Sequence, residues 1–167
     1  ESVRLEPNAS YTLFALGLHY YYLYEYEKAN TAFTKYLELR PYDVFAKQSL
    51  GYMYLKLKQY EKSEAIYLSL IEKYPQYQFN YKAQLYDLYL KWDRVDKAME
   101  LLNGMLAIPD ERPYGLFYKG LYYARQYQLD STVHYYQEAE KGLGGDNILC
   151  INNIGHAYFV HNQTDSA

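Results

Sequence analysis

Between Ser10 and Asp43 the apolar positions follow the period of a helix twice over. Leu13, Leu16, Gly17 and Tyr20 lie one to four residues apart on one face and predict a first helix. Tyr26, Ala29, Phe33 and Tyr36 predict a second in the same way. Tyr24-Glu25-Tyr26-Glu27 reads as the short connection between them. Pro41 marks the end of the unit, because proline cannot continue a helix interior. Gly17 has no side chain and Ala29 a single methyl, so two antiparallel helices can approach closely at that level, near the low end of the usual ~8–10 Å separation. Tyr20 and Phe33 fill the wider space beside that contact.

The pattern then returns along the whole chain. Tyr20, Tyr54, Tyr89, Tyr123 and Tyr158 are separated by 34, 35, 34 and 35 residues. Gly17, Gly51, Gly120 and Gly155 precede four of them by three residues, and Ala29, Ser63, Ala98, Thr132 and Ala167 follow all five by nine. A fixed period of this size predicts an all-α array of helix hairpins, which must stack because one hairpin cannot bury its own apolar face. The units are residues 10–43, 44–77, 79–112 and 113–146, with a partial unit at 148–167 and the tail of a preceding one at 1–9, since Pro7 lies 34 residues before Pro41. Nine nearly complete helices and a helical stub at each end are expected, with no visible domain boundary. Asn8 or Ser10 is the expected cap of the first helix.

Three places depart from regularity. In the third unit Tyr86 replaces the glycine and Pro109 comes one residue early, which predicts a wider or shifted hairpin. Gly142-Leu143-Gly144-Gly145-Asp146 is glycine-rich but lacks the Lys-Ser/Thr of a phosphate-binding loop, so it reads as a helix C-cap and turn. Thr164-Asp165-Ser166-Ala167 is expected to open a second helix in the fifth unit. Stopping there would leave Ile151, Ile154 and Tyr158 uncovered. With Glu and not Met at position 1, the expectation is a processed or excised piece of a longer array.

Numbered from Ser10, the unit resembles the tetratricopeptide repeat. Leu16-Gly17 stands at positions seven and eight, Tyr20 at eleven, Ala29 at twenty, Phe33 at twenty-four and Pro41 at thirty-two. The resemblance covers nearly the whole chain. It implies a right-handed superhelical solenoid of antiparallel hairpins that binds a peptide or protein segment in its concave groove. In that family the groove is lined by positions two, five, six, nine, twelve and thirteen of each first helix. Here the candidates are Tyr11, Phe14, Leu18, Phe45, Gln48, Tyr52, Gln84, Asp87, Tyr114, Phe117, Tyr118, Asn152 and His156, within a wider lining that includes Tyr21, Tyr22, Ser49, Leu121, Ala124, Arg125, Asn153 and Val160. Some relatives clamp a terminal carboxylate with Lys, Asn and Arg at these positions. Phe14, Leu18, Ser49, Asn80 and Gln84 stand there instead, or Gln48, Tyr52, Gln84, Tyr114 and Tyr118 one unit later, so that clamp is absent. The groove is aromatic and amide-rich.

Composition narrows the function further. A net charge of −3 disfavours tracking a nucleic-acid backbone, which needs a basic face. Mean hydropathy of −0.49 and the lack of a ~20-residue apolar run argue against membrane insertion and for a soluble protein. One cysteine, Cys150, excludes an internal disulfide and leaves cytoplasm and periplasm open. His19, His134, His156 and His161 form no ligand spacing, so no metal or other cofactor is expected, and no catalytic motif is present. The 25 tyrosines admit two readings, packing or binding. The expected function is therefore a non-catalytic interaction scaffold for a protein or peptide partner. A structural spacer or self-association module, or an accessory domain of a larger enzyme, are the alternatives.

Overall fold

The computed structural model describes residues 7–145 and 147–164. Among them are nine α-helices: α1 (Pro7–Tyr22), α2 (Tyr26–Leu39), α3 (Val44–Lys56), α4 (Tyr60–Lys73), α5 (Gln78–Lys91), α6 (Val95–Ala107), α7 (Arg112–Ala124), α8 (Leu129–Gly142) and α9 (Ile148–Thr164). A single 3-10 turn, Pro75–Tyr77, precedes α5, and no strand occurs among the described residues. The chain is all-α, and its contacts divide it into two units, one ending at Arg94 and the other beginning at Val95. The division falls in the turn of the irregular third repeat. In the first unit α1 to α5 pack in sequence order, each on the next; in the second, α6 to α9 do the same.

The periodic small residues are where the helices meet. Ala29, Ser63, Ala98 and Thr132 are all fully buried or nearly so. A methyl group added at Gly17 would lie 2.9 Å from the ring of Phe33, and one at Gly120 would lie 2.8 Å from the ring of Tyr136. At Gly51 the nearest atoms would be Ile66 Cγ2 at 3.1 Å and Tyr67 Cζ at 3.2 Å. The glycine thus receives the flat aromatic of position twenty-four, and the small residue at position twenty closes in beside it. In the second repeat that residue also bonds across: Ser63 Oγ donates to the carbonyl of Gly51 at 2.8 Å. Gly155 has nothing within 4 Å of such a methyl. Gly115, which the period does not mark, is buried where α6 meets α7, its added methyl 3.1 Å from Leu106.

Each of the first four repeats turns from its first to its second helix at the same position, the fifteenth. Tyr24, Lys58, Asp93 and Tyr127 all have φ between 57° and 60°. The next residue then donates its N–H back to the eleventh-position tyrosine: Glu25 to Tyr20 at 2.9 Å, Gln59 to Tyr54 and Arg94 to Tyr89 at 2.8 Å, and Gln128 to Tyr123 at 3.1 Å. These bonds satisfy carbonyls that the helix end leaves open. A left-handed conformation usually goes to glycine, and a side chain there costs about 1–2 kcal/mol. Lys58→Gly is therefore expected to stabilise the protein by about 1 kcal/mol, read as a raised urea midpoint; a lowered midpoint would contradict the turn assignment.

Between repeats the joint is a cap. Asp43 precedes α3, and its carboxylate accepts from Ala46 N at 2.9 Å and from the Tyr36 hydroxyl at 2.7 Å. Asp43→Ala should cost about 1–2 kcal/mol, since it removes the cap and leaves a partly buried hydroxyl unpaired. A thermal melt checks this, and Asp43→Asn should recover most of the loss.

Several expected boundaries move. The first connection is residues 23–25, so Tyr26 and Glu27 already belong to α2. Asn8 and Ser10 fall inside α1, which begins at Pro7, and so do not cap it. Thr164 ends α9 and does not open another helix, because α9 runs straight through the fifteenth position, Asn162, where every earlier hairpin turns. Asp165, Ser166 and Ala167 lie outside the described residues, as do residues 1–6 and Asp146. Gly142, Gly144 and Gly145 do form a helix end. Leu143 caps α8, Gly144 and Gly145 take positive φ, and an added methyl at Gly142 would lie 2.6 Å from Pro113 Cγ.

Candidate functional site

The fold turns one face of the first helices, α1, α3 and α5, into an open groove in the first unit. Leu18, Tyr21 and Tyr22 of α1, Phe45, Gln48, Ser49, Tyr52 and Met53 of α3, and Gln84 of α5 surround a cavity of about 270 Å³. Phe33 of α2 and Tyr67 of α4 reach it from below. Helical spacing explains the set, because positions five, six, nine, twelve and thirteen lie on one side of a 3.6-residue helix.

Of the candidates in this unit, Leu18, Phe45, Gln48, Tyr52 and Gln84 come together on the cavity wall. Tyr11, Phe14 and Asp87 do not line it. Tyr11 is 72% exposed. Phe14 sits in a ring cluster, its centroid 5.9 Å from Phe33, 5.1 Å from Tyr36 and 5.8 Å from Phe45, and so supports the wall from behind. Asp87 pairs with Lys91 one turn on.

The wall carries no formal charge. Tyr21 and Tyr52 meet edge to face at 5.8 Å. Burial raises the pKa of the Tyr21 hydroxyl, and its hydrogen bond with Tyr52 adds to the effect. Lys56 stands at the rim with its ammonium 5.0 Å from the Tyr52 ring centre and 5.9 Å from that of Tyr26. A hydrogen bond with Tyr52 holds its pKa up.

Tyr67 is the residue that groove positions alone do not reveal. It is fully buried, and its hydroxyl has no hydrogen-bond partner within the protein. Such a group costs about 1–3 kcal/mol. Desolvation pushes its pKa well above the ordinary tyrosine value, with Asp87 and Tyr52 adding to the shift. Those two are the ninth-position residues of α5 and α3, so the hydroxyl lies beneath the groove-facing surface. The signal in the sequence is its register: Tyr67 is the twenty-fourth residue of its repeat, where repeat one has Phe33.

The second unit has a pocket of its own at equivalent positions. Leu121 and Ala124 of α7, Arg125 just after it, Thr132 and Tyr136 of α8, and Asn153, His156, Val160 and His161 of α9 line a cavity of about 490 Å³. Of the thirteen groove candidates, His156 alone lies on its wall. Tyr114 is 37% exposed, Asn152 is exposed and Tyr118 is half-buried. Phe117 packs on Tyr136 at 5.4 Å and Tyr118 at 5.6 Å, so like Phe14 it backs the surface. Cys150 is buried against Tyr136 and Ala139, and burial raises its thiol pKa.

Many tyrosines pack. Tyr89 donates to Glu64 at 2.7 Å, Tyr60 stacks on Trp92 and Tyr123 on Tyr135. Lys28 and Lys62 lie over the rings of Tyr20 and Tyr54. Among the described residues no three His, Cys, Asp or Glu side chains converge as a metal site would require. No helix of the described residues is long and apolar enough to cross a membrane.

No protein-family model matches the chain, and no curated protein matches it. Solved structures do. A tetratricopeptide repeat protein from Parabacteroides merdae superposes with a TM-score of 0.61 at 20% identity, over 92% of this chain and 59% of its own. This chain thus spans 59% of that relative's length. A thermophilic TPR protein of Thermus thermophilus gives 0.63 at 20% identity, over 93% of this chain and 84% of its own. The MamA protein gives 0.57 at 17% identity, over 96% and 87%. The chain therefore has the fold of the tetratricopeptide-repeat proteins.

Proposed function

We propose that the chain is a non-catalytic scaffold that holds a segment of a protein partner on the groove faces of its first helices. The observation that carries this reading is the cavity of the first unit, where Tyr21, Phe45, Gln48, Tyr52 and Gln84 converge without a charged side chain. Rings give large contact area at low entropic cost, and amides can bond a peptide backbone. Leu18 completes the wall, Tyr11 and Asp87 lie off it, and Phe14 braces it. In the second unit His156 lines a similar cavity, with Tyr114, Tyr118 and Asn152 off its wall and Phe117 behind it.

The test begins with capture of a partner from the source cell and then asks which face holds it. Phe45→Ala, on the groove, should weaken binding about tenfold or more. Leu68→Ser, at an exposed position of α4, should leave it unchanged. The reverse result would move the site to the second helices.

A second reading, self-association, draws on a different surface. Ile148, Leu149, Ile151, Tyr158 and Phe159 of α9 are each 47–71% exposed. Apolar patches of this kind mark association surfaces. Ile151→Lys combined with Tyr158→Lys should abolish any concentration-dependent dimer seen by light scattering while leaving groove binding intact.

A further inference from the structure

The first unit's groove has a floor as well as walls, and the floor contains an unpaired hydroxyl. Phe33 shows that position twenty-four can be filled by a ring with no polar atom. Tyr67 fills the same register with a hydroxyl that finds no partner in the protein, at a cost in stability. Tyr67 lines the cavity together with Tyr52, and Asp87 lies near its hydroxyl but off the wall. The hydroxyl is held protonated, so it is a donor waiting for an acceptor. The cavity wall itself carries no Lys, Arg or His to neutralise an anion beside Tyr67; Lys56 stands only at the rim, and Asp87 lies off the wall, paired with Lys91. The acceptor that fits is therefore an uncharged oxygen. The walls offer ring faces to whatever carries that oxygen. A cavity of about 270 Å³ is small for a cofactor site and suits one side chain with its peptide group.

We propose that the groove of the first unit binds an uncharged aromatic residue of an extended peptide segment, its ring against Tyr21, Phe45 and Tyr52 and its carbonyl oxygen accepting a hydrogen bond from Tyr67. Gln48 and Gln84 then bond the neighbouring peptide groups. This rests on the scaffold reading above and adds the chemistry of the ligand: neutral, ring-bearing and carbonyl-presenting. Edge-to-face contact with the wall rings selects the aromatic. The buried donor beneath the wall selects the carbonyl, because a site built to bond one group rejects ligands that leave it unpaired.

The test uses two small probes that need no partner protein. N-acetyl-L-phenylalaninamide is uncharged; N-acetyl-L-phenylalanine carries a carboxylate. Titrated into the whole chain and followed by amide chemical shifts, the amide should saturate shifts at Gln48, Ser49 and Gln84. The free acid should bind about tenfold more weakly. Tyr67→Phe should melt about 2–4 °C higher, because the unpaired hydroxyl is gone. The same variant should bind the uncharged probe about tenfold more weakly. Asp87→Asn should narrow the difference between the two probes. A lower melting point for Tyr67→Phe would show that the hydroxyl is already satisfied, by Asp87 or by a buried water, and would overturn the proposal. So would unchanged probe binding by that variant, equal binding of the two probes, or no saturable shift at the groove. These outcomes are independent of partner capture. Probe binding without any captured partner would count against the scaffold, and capture lost in Phe45→Ala but indifferent to Tyr67→Phe would count against the subsite alone.

Discussion

Gly120→Leu is expected to lower the stability of the protein by about 3 kcal/mol, the upper end of what overpacking costs. Even a methyl group at this position would lie 2.8 Å from two ring carbons of Tyr136, closer than carbon atoms tolerate. The ring is held on its packed side, because Tyr136 is 1% exposed and packs with Ala139 and Cys150. Its other side is held by Phe117. Relief must come from moving α7 away from α8, which opens the contact of Thr132 as well. Gly51→Leu should cost less, because its nearest neighbours stand at 3.1 and 3.2 Å and one is a flexible isoleucine methyl. Gly155→Ala reverses the sign. Nothing lies within 4 Å, so only helix propensity remains, and alanine gains up to about 1 kcal/mol over glycine. Urea denaturation of the three variants should rank them in that order. Equal midpoints for Gly120→Leu and the parent would mean that the hairpins do not close on their glycines.

The glycine period was legible because it reports a steric need that no other residue meets. Gly17, Gly51 and Gly120 had to be bare for Phe33, Tyr67 and Tyr136 to lie on them, and that need is written at the same interval in each repeat. The turns were not legible in this way. Tyr24, Lys58, Asp93 and Tyr127 adopt a conformation that glycine would take more cheaply, so their chemistry gives no hint of it. At Tyr24, Lys58 and Tyr127 the geometry is imposed by the packed helices on either side, and that packing outweighs a local cost of about 1–2 kcal/mol. The length of α9 escaped for a related reason. With no second helix packed on it among the described residues, Asn162 is under no pressure to turn, and helical hydrogen bonding continues to Thr164.

The groove shows the same contrast between register and depth. Register placed Leu18, Phe45, Gln48, Tyr52 and Gln84 on one wall, because side-chain direction follows from helical spacing. The same register includes Phe14 and Phe117, which sink into ring clusters behind the cavity walls. How far a side chain reaches depends on the helix below, and no single-helix pattern holds that. Tyr67 is the complementary case, a second-helix residue whose ring packs against Gly51 of α3 and whose buried hydroxyl lies beneath the groove wall.

Tyr52→Ala is expected to weaken partner binding by about 2 kcal/mol, roughly thirtyfold. Binding energy concentrates in a few rings that are fixed before the ligand arrives, since little entropy is then lost on contact. Tyr52 meets that condition. Its ring is held edge to face by Tyr21, its hydroxyl is bonded to Tyr21 and Lys56, and its face lines the cavity. Tyr52→Phe keeps the ring and removes the hydroxyl, so it should retain most of the affinity. Lys56→Gln should cost little, and what it costs should vanish with added salt, because a rim charge is screened. Calorimetry gives the affinities, and circular dichroism establishes that each variant is folded before they are read. If Tyr52→Ala remains folded and binds normally, the ring is not an anchor and the partner lies elsewhere. If Tyr52→Phe loses as much as Tyr52→Ala, the hydroxyl and not the ring carries the contact. The groove would then be selecting a hydrogen-bond partner at two depths, Tyr52 above and Tyr67 below.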